Sequence, residues 1–351
     1  MGKTGESVDI CPWAFFSGNN ARWPLVCLGA KQQWAAWASP IAHLFRTPST
    51  STTFSWELAY WAARLNEAPY HLDTTNTSLN IPAVRSLHSM LGMENISFHN
   101  EQPHSQWHTN HLVAHSIASK RLPNGENLVI VAIRGTVPSL PFDDGLWAAL
   151  LDPLTVLPLT VEILVTPEWQ SNFHLGFEPQ AGLAQRHLGF NTAMADVRVN
   201  LTVHMRRYGI LYELENTRIL IAGHSRGGAV ANLLAAELNR EFEDMYPDSR
   251  VWIYAYTFAA PRVTTDAVVA RNAMHNNIFN IINTEDRLTP NLPVWVDPLH
   301  HLFLPAIPWR FVDDHLVIFY RYGFNIGFTV PGIGSEPHDM RTHTDYARSR
   351  W

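Results

Sequence analysis

The sequence predicts an α/β protein built on a mostly parallel sheet flanked by helices. Three observations carry that prediction. From Phe190 onward, short apolar runs alternate with longer stretches at helical spacing, the pattern of a sheet covered on both faces. The strand-like runs, such as "RILIAG" at Arg218–Gly223, are apolar without alternation, as strands buried on two sides are. At Gly223–Gly228, "GHSRGG" joins one such strand directly to a helical pattern through glycines. The chain has 351 residues, 46% of them hydrophobic, enough to bury a sizeable core.

The elements follow in order. Residues 1–50 are rich in Trp, Pro and Ser without a clean period and read as an irregular N-terminal extension to a domain spanning 51–351. Phe54–Ala68 carries apolar residues at helical spacing, and "PAVRSLHSMLGM" is a second helix. "HLVAHSIASKRL" and "NLVIVAIRG" flank Pro123, Asn124 and Gly125, which predicts two strands and a turn. Residues 137–168 are apolar and proline-bearing, with no sustained period. An amphipathic helix at Phe190–Gly209 ends on glycine. Then come strand "RILIAG", a helix from Gly227 to Met245, strand "VWIYAYTFAAP", helix "TDAVVARNAM" and strand "NIFNIIN". Asp297–Pro337 is aromatic and gives no assignment, and a terminal helix follows His338.

Composition narrows the function classes. Net charge is −6 with no long basic run. That argues against nucleic acid, since phosphate contacts need clustered Lys and Arg. The most membrane-like stretch, Leu146–Val165, contains Asp152, Pro153, Pro158 and Glu162. Carboxylates in mid-span are costly in lipid, so no transmembrane segment is expected. Met1–Ile10 has no signal-peptide pattern; secretion is nonetheless favoured slightly over the cytoplasm. The two cysteines, Cys11 and Cys27, fit one disulfide or two free thiols equally well. No cofactor or metal site is expected, because His108, His111 and His115 stand at mixed spacing.

The chemistry gathers at Ser225. A serine hydroxyl is a poor nucleophile until a base takes its proton, an acid orients the base, and N–H donors face the developing oxyanion. Gly223-x-Ser225-x-Gly227 matches the strand-to-helix nucleophile elbow G-x-S-x-G, where small neighbours let strand and helix approach. The chain order for such an elbow is Ser, then Asp or Glu, then His. "NIINTED" ends a strand with Glu285 and Asp286, and Asp286 is the preferred acid with Glu285 as alternate. Downstream histidines are His300, His301, His315, His338 and His343. His338, on a Gly/Pro loop before the terminal helix, is the preferred base, whereas His315 sits within a strand-like run. One oxyanion N–H should come from Arg226, just after the nucleophile, and a second from Thr136, where strand "VIVAIRGT" ends on Gly135-Thr136.

With these residues assembled, the chain resembles the class 3 lipases, α/β-hydrolases that include fungal triacylglycerol lipases and feruloyl esterases. The likeness runs from about Phe54 to Arg348 through "VAIRGT", "RHLGFNTAMADVRVNLTVHM", "ILIAGHSRGGAVANLLA", "YTFAAPRV", "NIINTEDRLTPNLP" and "HDMRTH". It implies an α/β-hydrolase-type fold with Ser225 as nucleophile, Asp286 as acid, His338 as base, and Thr136 and Arg226 as oxyanion donors. It also implies that residues 137–168 are a lid-like insertion. Departures are Arg226 in place of the usual leucine, Ala260 in place of a common glycine, and Leu288 and Thr289 in the acid loop. The implied activity is cleavage of carboxylic esters, acylglycerol lipids foremost, through an acyl-enzyme. The partners are then an ester or lipid substrate and, through an apolar lid, a transient lipid–water interface. A phospholipase A1 or feruloyl esterase would use the same triad, and a non-catalytic lipid-binding protein would keep the fold without the reaction.

Overall fold

The computed structural model describes residues 41–45, 51–70, 79–99, 113–136, 177–179, 185–245, 252–286, 309–312, 315–330 and 338–351. Both cysteines, most of the N-terminal extension, the lid-like insertion and the candidates His300 and His301 lie outside these residues.

Seven strands form one sheet: β1 (Asn95–His99), β2 (His115–Arg121), β3 (Asn127–Ile133), β6 (Thr217–His224), β7 (Trp252–Phe258), β8 (Ile278–Asn283) and β11 (Phe324–Phe328), neighbours in that order. Pairing is antiparallel from β1 to β3 and parallel from β3 to β11. Two antiparallel ribbons stand apart from it: β4 (Phe177–Pro179) with β5 (Gln185–His187), and β9 (Trp309–Val312) with β10 (His315–Ile318). The helices are α1 (Trp56–Glu67), α2 (Ile81–Met90), α3 (Leu188–Arg207), α4 (Arg226–Met245), the one-turn α5 (Ala267–Ala270) and α6 (Met340–Arg350).

The central strands supply two cores at once, because successive side chains leave opposite faces. Val129, Val131 and Ile133 of β3 and Ile219 and Ile221 of β6 pack with α3 and α4. Leu128, Ile130 and Ala132 of β3, Leu220 and Ala222 of β6, and Tyr254 and Tyr256 of β7 pack with α1, α2 and α6 on the other face. This is why the strands read as unbroken apolar runs. Each such valine, leucine or isoleucine, fully buried, contributes roughly 1.5–3 kcal/mol. Ile41 and Phe45 are also buried in the second core, so packing begins ahead of Ser51.

Three features depart from the sequence reading or were absent from it. The helix expected over "TDAVVARNAM" splits into α5 and a 3-10 turn at Ala273–His275, because Asn272 is extended and its side chain caps the Met274 N–H. Strand β1 is half-buried along its length and β11 is mostly exposed, so neither shows the alternation that marks a strand. Helix α3 starts two residues before Phe190, with His187 as its N-cap. The terminal helix is α6, capped by Asp339, whose side chain accepts from the Arg341 N–H.

Candidate active site

Strand β6 ends at His224 and α4 begins at Arg226, leaving Ser225 alone at the corner with φ +53°. Its N–H donates to the Phe258 carbonyl (2.9 Å) and its own carbonyl accepts from Ala229 (3.0 Å), which fixes the turn from both sides. The corner is tight. A Cβ on Gly227 would lie 2.3 Å from the Ile133 carbonyl oxygen at the end of β3, so α4 can start this close to the sheet only with glycine there. The half-buried hydroxyl therefore sits at the carboxyl edge of the central parallel strands, where open α/β sheets bind their ligands.

The acid and base arrive from separate elements. Asp286 follows β8 in a turn held by Asn283, whose carbonyl accepts from the Asp286 N–H (3.1 Å) and whose side chain accepts from the Glu285 N–H (3.3 Å). Asp286 is 3% exposed; Glu285 points to solvent. His338 directly precedes the cap of α6. Its Nδ1–H donates to Asp286 Oδ2 (2.8 Å) and its Nε2 accepts from the Ser225 hydroxyl (3.0 Å). The carboxylate can only accept, which assigns the Nδ1 proton and leaves Nε2 as the basic nitrogen facing the serine. The structure thus brings Ser225, His338 and Asp286 into one chain of hydrogen bonds. His343, the rival candidate on α6, is buried instead, donating from Nδ1 to the Asp339 carbonyl (3.1 Å).

Thr136 and Arg226 flank the serine. A Cβ on Gly135 would lie 2.9 Å from Ser225 Cβ, so the end of β3 is pressed against the nucleophile and buried Thr136 follows immediately. Arg226 opens α4, where a helix has no i−4 carbonyl for its first N–H groups. Its side chain is 1% exposed; the charge that replaces the usual leucine is inside the fold.

Sequence reasoning missed a second chain of contacts around the triad. The Gly135 N–H donates to the Tyr70 hydroxyl oxygen (2.9 Å), and that hydroxyl donates to His224 Nδ1 (2.8 Å). His224 Nε2–H then donates to the main-chain carbonyl of His338 (2.9 Å). With His224 neutral, every donor in this chain meets an acceptor. Burial keeps it so, pushing its pKa well below the usual histidine range, with His338 and His343 adding to the effect. The network ties the strand end at Gly135 to the loop carrying the base. His224 was visible beside Ser225 in "GHSRG"; Tyr70, 65 residues before Gly135, had no sequence signal.

A strand-end serine with a carboxylate-backed imidazole, on a parallel sheet of this order, defines the layout of an α/β-hydrolase. Residues 156–296 match the family described as lipase (class 3), a span that contains Ser225 and Asp286 and stops short of His338. The match supports a carboxylic ester hydrolase that acts on lipid esters. No curated protein sequence matches the chain. Among solved structures, the Rhizomucor miehei triacylglyceride lipase is 18% identical, with 68% of this chain and 73% of that one covered and a TM-score of 0.42. The mono- and diacylglycerol lipase from Aspergillus oryzae is 18% identical, covering 69% of this chain and 75% of that one, also at 0.42. Among the described residues, no helix is long and apolar enough to cross a membrane.

Proposed function

We propose that the chain hydrolyses carboxylic esters of lipids, acylglycerols first among them, with Ser225 as nucleophile, His338 as general base and acid, and Asp286 as its orienting carboxylate. The observation that carries this reading is the imidazole held between the serine oxygen at 3.0 Å and the carboxylate at 2.8 Å. Ser225 Oγ attacks the ester carbonyl as its proton moves to His338 Nε2. The N–H groups of Thr136 and Arg226 hold the tetrahedral oxyanion. Asp286 stabilises the imidazolium, which then protonates the departing alcohol. Water, giving its proton to the same nitrogen, cleaves the acyl-enzyme and regenerates the hydroxyl.

A fluorophosphonate probe should label the protein at Ser225 and leave Ser225→Ala unlabelled, with turnover in that variant down on the order of 10⁴-fold or more. A p-nitrophenyl ester series of increasing chain length, run beside phospholipid and feruloyl esters, identifies the substrate class. Turnover of the phospholipid or feruloyl ester well above that of the p-nitrophenyl esters would defeat the acylglycerol assignment, and absence of labelling would defeat the hydrolase itself.

A further inference from the structure

Away from the triad, three arginines from three separate segments line one cavity of about 210 Å³. Arg262 follows β7, Arg271 is the C-cap of α5, and Arg321 lies in the loop that leads into β11. Tyr320 and Asn325 complete the polar lining. Arg262 donates from Nη1 to the Phe319 carbonyl (3.5 Å), and the Arg271 guanidinium stands 5.9 Å from the Tyr320 ring centre. Among the described residues, neither of these two arginines pairs with a carboxylate. Arg321 donates from Nε to the Ala260 carbonyl and is almost wholly buried. Burial pushes its pKa down to about 9, the nearby Arg262 cation pushes the same way, and Asp286 opposes them. Burial likewise lowers the pKa of Arg262.

Arg262 and Arg271 carry like charge beside one partly desolvated hollow, and an anion there relieves their repulsion. Guanidinium groups are planar forks that meet tetrahedral oxyanions with paired N–H bonds. The Asn325 amide adds a neutral donor of the same kind. The cavity is large enough for one phosphate group.

We infer that the cavity between Arg262, Arg271 and Arg321 is a binding site for a phosphate-type oxyanion, distinct from the ester-cleaving centre. Two sources share this chemistry: free phosphate and the phosphodiester of a lipid headgroup. The inference is independent of the hydrolase reading, because Arg262 and Arg271 touch no group of the triad.

The test is calorimetric titration of the full-length chain at constant ionic strength with three probes: inorganic phosphate, glycerophosphocholine and acetate. Phosphate should bind saturably at one site, and acetate at least about tenfold more weakly. The Arg262→Gln/Arg271→Gln double variant should lose roughly tenfold or more in phosphate affinity while its turnover of a p-nitrophenyl ester stays within about threefold. Arg321 is left intact because it lies in the field of Asp286. Should the double variant fail to fold, exposed Arg271→Gln alone should weaken phosphate by about threefold or more. Glycerophosphocholine binding as tightly as phosphate assigns the site to a headgroup; clearly weaker binding assigns it to the free ion. Absence of saturable phosphate binding, equal binding of acetate, or unchanged affinity in the variants overturns the inference.

Discussion

Ser225 holds a left-handed backbone that a residue with a Cβ adopts only at a cost of about 1 kcal/mol or more. The surrounding hydrogen bonds offset that strain, and they also aim the hydroxyl at His338. The imidazole is aimed in turn by Asp286 through its ring and by His224 through its main chain. His224→Phe removes the donor to the His338 carbonyl, and Tyr70→Phe removes both the acceptor for Gly135 and the donor to His224. A displaced base costs proximity and leaves substrate contacts alone. Each variant should therefore lose about 10- to 100-fold in kcat with KM within about twofold. Steady-state kinetics on a soluble ester would show it, and an unchanged kcat in both would reduce the network to structure alone. At this scale the sequence was legible wherever chemistry constrains type and order. The glycines singled out Ser225, the strand end offered Asp286 with Glu285 as alternate, and the loop made His338 the preferred base among five downstream histidines; the fold hydrogen-bonds Ser225, His338 and Asp286. Tyr70 was illegible because a hydroxyl reaching across the fold leaves no local pattern.

Elements place those residues, and the joints between elements tolerate little. Gly227 lies where α4, β3 and the elbow meet. Alanine there would overlap the Ile133 carbonyl oxygen at 2.3 Å and the Arg134 carbonyl oxygen at 2.5 Å, both main-chain atoms without rotamers to yield. Gly227→Ala should cost roughly 3 kcal/mol or more in denaturant unfolding, or prevent folding. Tolerance within about 0.5 kcal/mol would mean that the helix start is looser than this geometry. Asp339 acts at the other joint, capping α6 one residue after the base. Asp339→Ala should cost about 1 kcal/mol by the same measurement and slow turnover more than it destabilises, because the cap sets the path of His338. The buried strands and long helices were legible because their two-sided burial writes apolar runs and helical periods into the chain. Edge strands β1 and β11 were not, since partial exposure removes the period. Neither was the break after α5, which one Asn side chain produces against an otherwise helical pattern.

Across the whole molecule, the most consequential shared property is a set of buried neutral histidines. His88 donates or accepts at Nε2 with Ser116 (3.0 Å), His115 bonds through Nδ1 to the Val113 carbonyl (2.9 Å), and His343 is enclosed beneath the triad loop. Burial lowers all three to about 4, and a like shift to about 4 holds for the less enclosed His204 and His275. The sign follows from where the protons bind. In the unfolded chain these rings take up protons near pH 6.5, whereas in the folded chain they stay neutral until about 4. The stability they represent is full above pH 6.5 and is lost as pH falls through the window down to about 4. Asp196 and Glu241, whose pKa values burial raises, work in the opposite sense but are only partly enclosed. At pH 5 each of the three enclosed histidines should have cost roughly 2 kcal/mol relative to pH 7.5. Together they approach the whole stability of an ordinary domain. Urea unfolding at the two pH values should show that loss, and His88→Gln, which keeps a hydrogen-bonding group without a proton to gain, should reduce it by about 2 kcal/mol. Equal stability at pH 7.5 and pH 5 would mean that these rings take up protons in the folded state as readily as in the unfolded one, and the enclosures around them would have to be open to water.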